Sequence, residues 1–114
     1  MRILVIGAGR VGAKVLQQLQ KNQSLTVITC DAADDPFAVQ TGVIPAVDIQ
    51  ETLTPLTLEY ILKQSTPDII LLTRVTEDFG LGKAPGIDIL VDSLKRELES
   101  MSGVPMIEVA RGTS

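Results

Sequence analysis

The stretch Ile3–Gly12 reads ILVIGAGRVG, and it decides the fold. Its first four residues are aliphatic, which is typical of a parallel strand buried on both faces. Glycines follow at positions 7, 9 and 12. Beyond them Val11, Val15, Leu16 and Leu19 recur at helical spacing and predict one apolar helix face. The sequence therefore predicts a strand that passes through a glycine-rich turn into a helix.

The rest of the chain repeats this alternation. Three further apolar runs predict strands, and they are Leu25–Cys30, Asp68–Thr73 and Val104–Val109. Three segments with helical signals lie between them, namely Pro36–Thr41, Leu56–Gln64 and Ile87–Met101. Strands that alternate with helices predict a parallel sheet covered by helices on both faces, because parallel neighbours need crossover connections.

Two prolines refine this prediction. Pro45 lies at or in a third strand, and proline in a sheet is tolerated only at an edge. The strand order 3-2-1-4-5 makes the third strand an edge, so the proline fits it. Thr54 and Pro55 are predicted as the N-cap and first position of the helix at Leu56–Gln64. We predict one α/β domain over residues 1–114, with a five-stranded parallel sheet in the order 3-2-1-4-5.

The glycine-rich turn carries the chemistry. Its six residues fit the G-x-G-x-x-G dinucleotide-binding pattern between a strand and a helix, and they are Gly7, Ala8, Gly9, Arg10, Val11 and Gly12. Gly7 would permit the tight turn, Gly9 would let the backbone approach a pyrophosphate, and Gly12 would let the helix pack on the strand. The helix N-terminus would face the phosphate charge.

Asp31 strengthens the prediction of a dinucleotide site. It stands nineteen residues beyond Gly12, at the end of the second predicted strand. The pattern requires an acid about 20 residues on, where it accepts hydrogen bonds from the adenosine ribose. A carboxylate there would repel a 2′-phosphate, so the sequence favours NAD(H), and Asp34 and Asp35 add negative charge.

The segment Thr73–Gly86 follows the fourth predicted strand. Ligands of open α/β sheets lie across the carboxyl ends of strands one and four, so we expect Thr73 and Arg74 within reach of a ribose or phosphate. Gly80–Gly86 contains three glycines and a proline, which predicts a mobile flap. A solvated surface loop is the alternative.

Composition excludes several classes of function. Aromatic residues make up 3% of the chain and the net charge is −4, which disfavours base stacking and binding to nucleic acid or anionic membranes. The chain has no His and one Cys, so neither a Cys/His zinc site nor an internal disulfide is expected. The apolar runs are far shorter than the about 20 residues of a membrane-spanning helix. We therefore predict a cytoplasmic protein without metal.

At these residues the sequence resembles the Trk-type potassium-uptake regulator nucleotide-binding domain, also called the TrkA-N or RCK domain. The likeness covers Met1 to about Asp78 and includes Ile6–Gly12, the acid at Asp31, and Asp68–Thr73 with the polar turn after it. The resemblance implies a Rossmann domain that binds NAD(H), is often dimeric, and reports nucleotide state to a protein partner. The short segment after Asp31 and the Gly80–Gly86 insertion depart from that family.

Three functions remain open. The first is a dinucleotide-binding sensor or regulatory module, assembled as a homo-oligomer and without turnover of its own, and we favour it because no catalytic residue is evident. The second is the nucleotide-binding half of an NAD-dependent oxidoreductase whose catalytic residues lie on a partner subunit. The third is a fold that has lost its ligand. S-adenosylmethionine is a rival ligand for the turn, although methyltransferase domains usually need more strands.

Overall fold

A computed structural model describes residues 1–52, 54, 56–73, 96–97, 99–100 and 102–109. Along the chain the elements are β1 (Arg2–Ile6), α1 (Arg10–Leu19), β2 (Thr26–Asp31), α2 (Phe37–Gln40), β3 (Ile49–Gln50), α3 (Leu58–Ser65), β4 (Ile69–Leu72) and β5 (Met106–Glu108). All strand pairs are parallel, and the sheet order is β3-β2-β1-β4-β5. The predicted Rossmann-like α/β arrangement is confirmed.

The centre of the sheet is β1, which is almost fully buried. It pairs with β2 from Arg2 opposite Thr26 to Ile6 opposite Cys30, and with β4 up to Ile6 opposite Leu72. A continuous aliphatic run suits this position because both faces of a central parallel strand are covered. The register brings the carboxyl ends of β1, β2 and β4 to one edge of the sheet.

Helices cover both faces of the sheet. On one face, Leu58 and Ile61 of α3 pack with Leu4 and Ile70. On the other face, residues of α1 and α2 pack against alternate side chains of β1, and this group includes Ala13, Leu16, Ala38, Ile3 and Val5. The two faces of β1 thus belong to two separate apolar clusters, as a buried parallel strand requires.

The prediction for the third strand is wrong in its position. Pro45 does not lie in a strand; β3 begins at Ile49 and pairs only with the last two residues of β2. Before β3, the side chain of Asp48 accepts hydrogen bonds from the backbone N–H and the hydroxyl of Thr29, at 2.9 and 3.0 Å. The Asp48 carboxylate thus accepts the Thr29 N–H directly before the ladder between β2 and β3 begins at Cys30 opposite Ile49.

The helix after β3 also begins later than predicted. Its N-cap is Thr57, whereas the sequence favoured Thr54. The Thr54 carbonyl accepts the N–H groups of Thr57 and Leu58, and its hydroxyl also accepts the Thr57 N–H, so Thr54 forms a turn that precedes the helix. Pro55 lies outside the described residues.

Two other helix predictions agree with the structure where it describes them. The short helix α2 follows Pro36 and ends before Gly42, whose φ of 81° is accessible mainly to glycine. Near the chain end, residues 96–97, 99–100 and 102 are helical, and the N–H of Gly103 donates to the Glu99 carbonyl at 3.1 Å. The earlier part of the predicted helix Ile87–Met101 lies outside the described residues.

No helix within the described ranges is long and apolar enough to cross a membrane.

Candidate functional site

The carboxyl ends of three neighbouring strands meet around the glycine turn. The N–H of Gly7 donates to the Cys30 carbonyl at 2.8 Å, and the N–H of Thr73 donates to the Ile6 carbonyl at 3.0 Å. The turn after β1 is therefore flanked by the end of β2 on one side and the end of β4 on the other. The order β2-β1-β4 makes this the point where crossover connections diverge to opposite sides of β1, and open α/β sheets bind ligands there.

Two glycines give the turn its shape. Gly7 has a φ of 99°, which an L side chain rarely adopts. A Cβ on Gly12 would collide with the Gly7 carbonyl oxygen and would lie 3.1 Å from the Thr73 hydroxyl. The first helical turn therefore packs directly on the backbone of the glycine turn, as the sequence predicted for Gly12.

The amino end of α1 faces this edge of the sheet. The N-cap residue is Gly9, and the first intrahelical bond runs from the Ala13 N–H to the Gly9 carbonyl at 2.8 Å. The N–H groups before Ala13 have no carbonyl partner within the helix. In α1 no side chain caps this end, and the first turn contains no acidic residue. The positive end of the helix dipole is thus not neutralised by an acidic side chain of α1, and it would attract an anion.

Asp31 reaches the glycine turn from the end of β2. The residue is 3% exposed, and its Oδ2 atom accepts a hydrogen bond from the Ala8 N–H at 2.7 Å. Its Oδ1 atom accepts one from the Ala33 N–H at 2.9 Å. The structure therefore brings together the acid and the turn that the sequence had linked by spacing alone.

Thr73 reaches the turn from the end of β4. It is 5% exposed, and its hydroxyl oxygen lies 2.8 Å from the Gly7 carbonyl oxygen and 2.9 Å from that of Ile6. The hydroxyl proton is therefore directed at the backbone of β1 and its turn. Arg74, the neighbouring residue that the sequence predicted for phosphate or ribose binding, lies outside the described residues, as does the Gly80–Gly86 segment.

Arg10 and Phe37 form a contact that the sequence did not indicate. The guanidinium carbon of Arg10 lies 4.8 Å from the centre of the Phe37 ring, a cation–π distance. Phe37 begins α2, which is joined to the turn by a hydrogen bond from the Ala38 N–H to the Ala8 carbonyl at 2.9 Å. Sequence reasoning included Arg10 but missed Phe37, because only the fold places α2 beside the glycine turn. Val11, the remaining predicted residue, is half-buried in the first turn of α1.

A cavity of about 330 Å³ lies elsewhere, between the second half of α1, β2 and the segment before β3. Its lining includes Leu16, Leu19, Val27, Ile44 and Asp48, and none of the predicted site residues. The glycine turn remains the better candidate because the uncapped amino end of α1 favours an anion, whereas the cavity is lined by apolar residues together with uncharged polar ones and Asp48. No group of three or more His, Cys, Asp or Glu in the described part of the chain is arranged to hold a metal.

Comparison with known proteins adds no family. No protein-family model matches the chain, and no curated protein matches its sequence.

Proposed function

We propose that the protein binds a dinucleotide at the glycine turn, with a preference for NAD(H). The observation that carries this proposal is the turn itself: it leads from β1 into an uncapped helix amino end at the point where crossovers diverge. A pyrophosphate is the ligand group that matches exposed backbone amides and a positive helix end. The proposed site residues are Gly7, Ala8, Gly9, Arg10, Val11, Gly12, Asp31, Thr73 and Arg74.

The acidic residues around the end of β2 support the preference for NAD(H) over NADP(H). Asp31 lies within hydrogen-bonding distance of the turn, and Asp34 and Asp35 are exposed in the loop that follows. A 2′-phosphate at this end of the sheet would be repelled by these charges. Arg10 is the one cation described beside the turn, and its guanidinium lies over Phe37.

A sensor or regulatory role without turnover agrees with the side chains available. The chain has no His, and its single Tyr, Tyr60, is half-exposed on α3. The resemblance to the TrkA-N domain supports the same role, a cytoplasmic homo-oligomer that reports nucleotide state to a protein partner. The second candidate, the nucleotide-binding half of an NAD-dependent oxidoreductase, requires catalytic residues from a partner subunit.

Isothermal titration calorimetry with NAD⁺, NADH, NADP⁺, ATP and S-adenosylmethionine tests the proposal. Binding of NAD⁺ or NADH, with weaker binding of NADP⁺, is the expected result. Tighter binding of S-adenosylmethionine would instead assign the turn to that ligand, and absence of binding to all five would contradict the proposal. Incubation with NAD⁺ and a candidate hydride donor, or with NADH and a candidate acceptor, is repeated with and without candidate partner proteins. A change in absorbance at the nicotinamide band would identify the oxidoreductase, and binding without such a change the sensor.

A further inference from the structure

One peptide group in the glycine turn is hydrogen-bonded to side chains from the two strands that flank β1. The Gly7 carbonyl and the Ala8 N–H belong to the same peptide bond. The N–H donates to the Asp31 carboxylate at 2.7 Å, and the carbonyl accepts from the Thr73 hydroxyl at 2.8 Å, whose single proton is shared with the Ile6 carbonyl at 2.9 Å. In a trans peptide these two groups point in opposite directions, so the peptide spans from the end of β2 to the end of β4.

We propose that Asp31 and Thr73 are positioning residues that fix the orientation of the Gly7–Ala8 peptide, and that they act on the nucleotide through it. This inference rests on the proposed function of the turn. Under this inference Asp31 orients the turn and does not make the ribose contact that sequence spacing suggests. Thr73 likewise orients the turn and does not contact the ligand.

Burial is the first argument. Ala8 is fully buried, so in the intact site no water competes with Asp31 for its N–H group, and truncation of Asp31 would open space through which water could reach it. Both Asp31 and Thr73 are at most 5% exposed, so neither presents its polar atoms broadly to solvent. The hydrogen bonds between these groups are long-range in sequence, 23 residues for Asp31 and 66 for Thr73. Only the folded sheet edge brings them together.

Conformation is the second argument. Gly7 has a φ of 99°, and a glycine constrains its neighbouring peptide planes less than any other residue does. Rotation of the Gly7–Ala8 peptide would carry the carbonyl away from Thr73 and the N–H away from Asp31. Because Gly9 and the first turn of α1 follow directly, the direction of the anion-facing amides depends on this peptide. The two side chains therefore preorganise the turn before any ligand arrives.

The first arm of the test needs no ligand. Hydrogen exchange of the Ala8 amide, followed by NMR, is measured in wild type and in Asp31→Ala. We expect exchange at Ala8 to accelerate at least about tenfold in Asp31→Ala, relative to amides in the middle of β1, because the bond to the carboxylate is lost. Asp34→Ala is the matched control and should leave the Ala8 amide unchanged. Equal exchange in wild type and Asp31→Ala would overturn the inference.

The second arm separates positioning from ribose contact. Affinities of wild type and Asp31→Ala are measured for ADP and for 2′,3′-dideoxy-ADP, which lacks both ribose hydroxyls. A positioning role predicts that the substitution weakens both ligands by the same factor, about tenfold. If the loss occurs with ADP and disappears with the dideoxy ligand, Asp31 contacts the ribose and the inference is wrong.

Conservative variants distinguish loss of a hydrogen bond from loss of folding. Thr73→Ser keeps the hydroxyl and should retain affinity for ADP, whereas Thr73→Val keeps the shape and should lose it. If Asp31→Ala does not fold, Asp31→Asn replaces it. Its neutral amide oxygen is a weaker acceptor than the carboxylate, so exchange at Ala8 should be faster than in wild type, and unchanged exchange would overturn the inference. If wild type binds neither ADP nor NADH, the proposed function fails, and the exchange of the Ala8 amide decides the positioning role by itself.

Discussion

The carbonyl oxygen of Gly7 occupies the space that a Cβ on Gly12 would need. The two residues are the first and last glycines of the turn, so the start of α1 packs against the end of β1. A β-strand can turn this sharply into a helix only if the first helical turn lies against the backbone of the strand end. The same contact directs the amino end of α1 toward the edge where β1, β2 and β4 finish.

Gly12→Ala should therefore destabilise the protein. Alanine is favoured over glycine in a helix by about 1 kcal/mol, but here the clash with Gly7 should outweigh that gain and cost about 1–3 kcal/mol. Urea unfolding followed by circular dichroism measures the difference. Lys14→Ala, at an exposed position in the same helix, is the control and should change stability little. A Gly12→Ala variant as stable as wild type would contradict the packing described.

Gly9→Val should abolish nucleotide binding and leave the fold intact. Gly9 has a φ of −77° and an extended ψ of −154°, so valine can occupy its backbone conformation without a left-handed penalty. Its branched side chain would stand where the pyrophosphate must approach. Titration with NADH, followed by nicotinamide fluorescence, measures the loss, and Gly9→Ala should give an intermediate affinity. If the folded valine variant binds NADH like wild type, the site does not lie at Gly7–Gly12.

NADH should bind at least about tenfold more tightly than NADPH, a difference of about 1.4 kcal/mol. The reason is repulsion between the 2′-phosphate and the carboxylates of Asp31, Asp34 and Asp35. Because Asp34 and Asp35 are exposed, the difference should narrow at high ionic strength and in the double variant Asp34→Asn/Asp35→Asn. Parallel fluorescence titrations test this, and a wild-type preference for NADPH would refute it.

Asp48→Ala should destabilise the edge of the sheet by about 1–2 kcal/mol, because the N–H and hydroxyl of the buried Thr29 lose their acceptor. Asp48→Asn should lose less stability, since its amide oxygen still accepts the N–H of Thr29. Asp35→Ala, in an exposed loop, is the matched control and should stay within about 0.5 kcal/mol of wild type. Denaturant unfolding of the three variants measures these differences. An Asp48→Ala variant as stable as Asp35→Ala would show that the hydrogen bonds from Thr29 to this carboxylate do not stabilise the sheet edge.

A homodimer through β5 is the expected assembly. In the described part of the chain β5 pairs with β4 alone, and its Ile107 is 48% exposed. An open apolar edge strand favours pairing with a copy of itself. Light scattering should therefore show a dimer that Ile107→Lys dissociates, while Tyr60→Lys on α3 leaves it intact. A strict monomer at high concentration would be inconsistent with this assembly.

Local patterns were sufficient for most of the fold. The aliphatic run before Gly7 predicted a buried parallel strand, and alternating strand and helix signals predicted the parallel sheet. The confirmed order β3-β2-β1-β4-β5 was predicted from the Rossmann-like arrangement that the glycine pattern indicates. Boundaries were less accurate where a polar side chain competes with the backbone for hydrogen bonds. Thr54 has the chemistry of an N-cap, yet it forms a turn ahead of the helix. Pro45 suggested the position of the third strand, yet ladder pairing starts only at Ile49, directly after the Asp48 carboxylate that accepts the Thr29 N–H.

The glycine turn and its link to Asp31 were determined by the sequence itself, because glycine spacing and strand length are local properties. The contacts of Asp31, Thr73 and Phe37 were decided only by the tertiary structure. Asp31 and Thr73 hydrogen-bond to one peptide from the ends of two strands that are distant in sequence, and Phe37 meets Arg10 only because α2 packs beside the turn. A sequence pattern reports which groups are present, whereas the direction of a side chain depends on neighbours that only the folded sheet supplies.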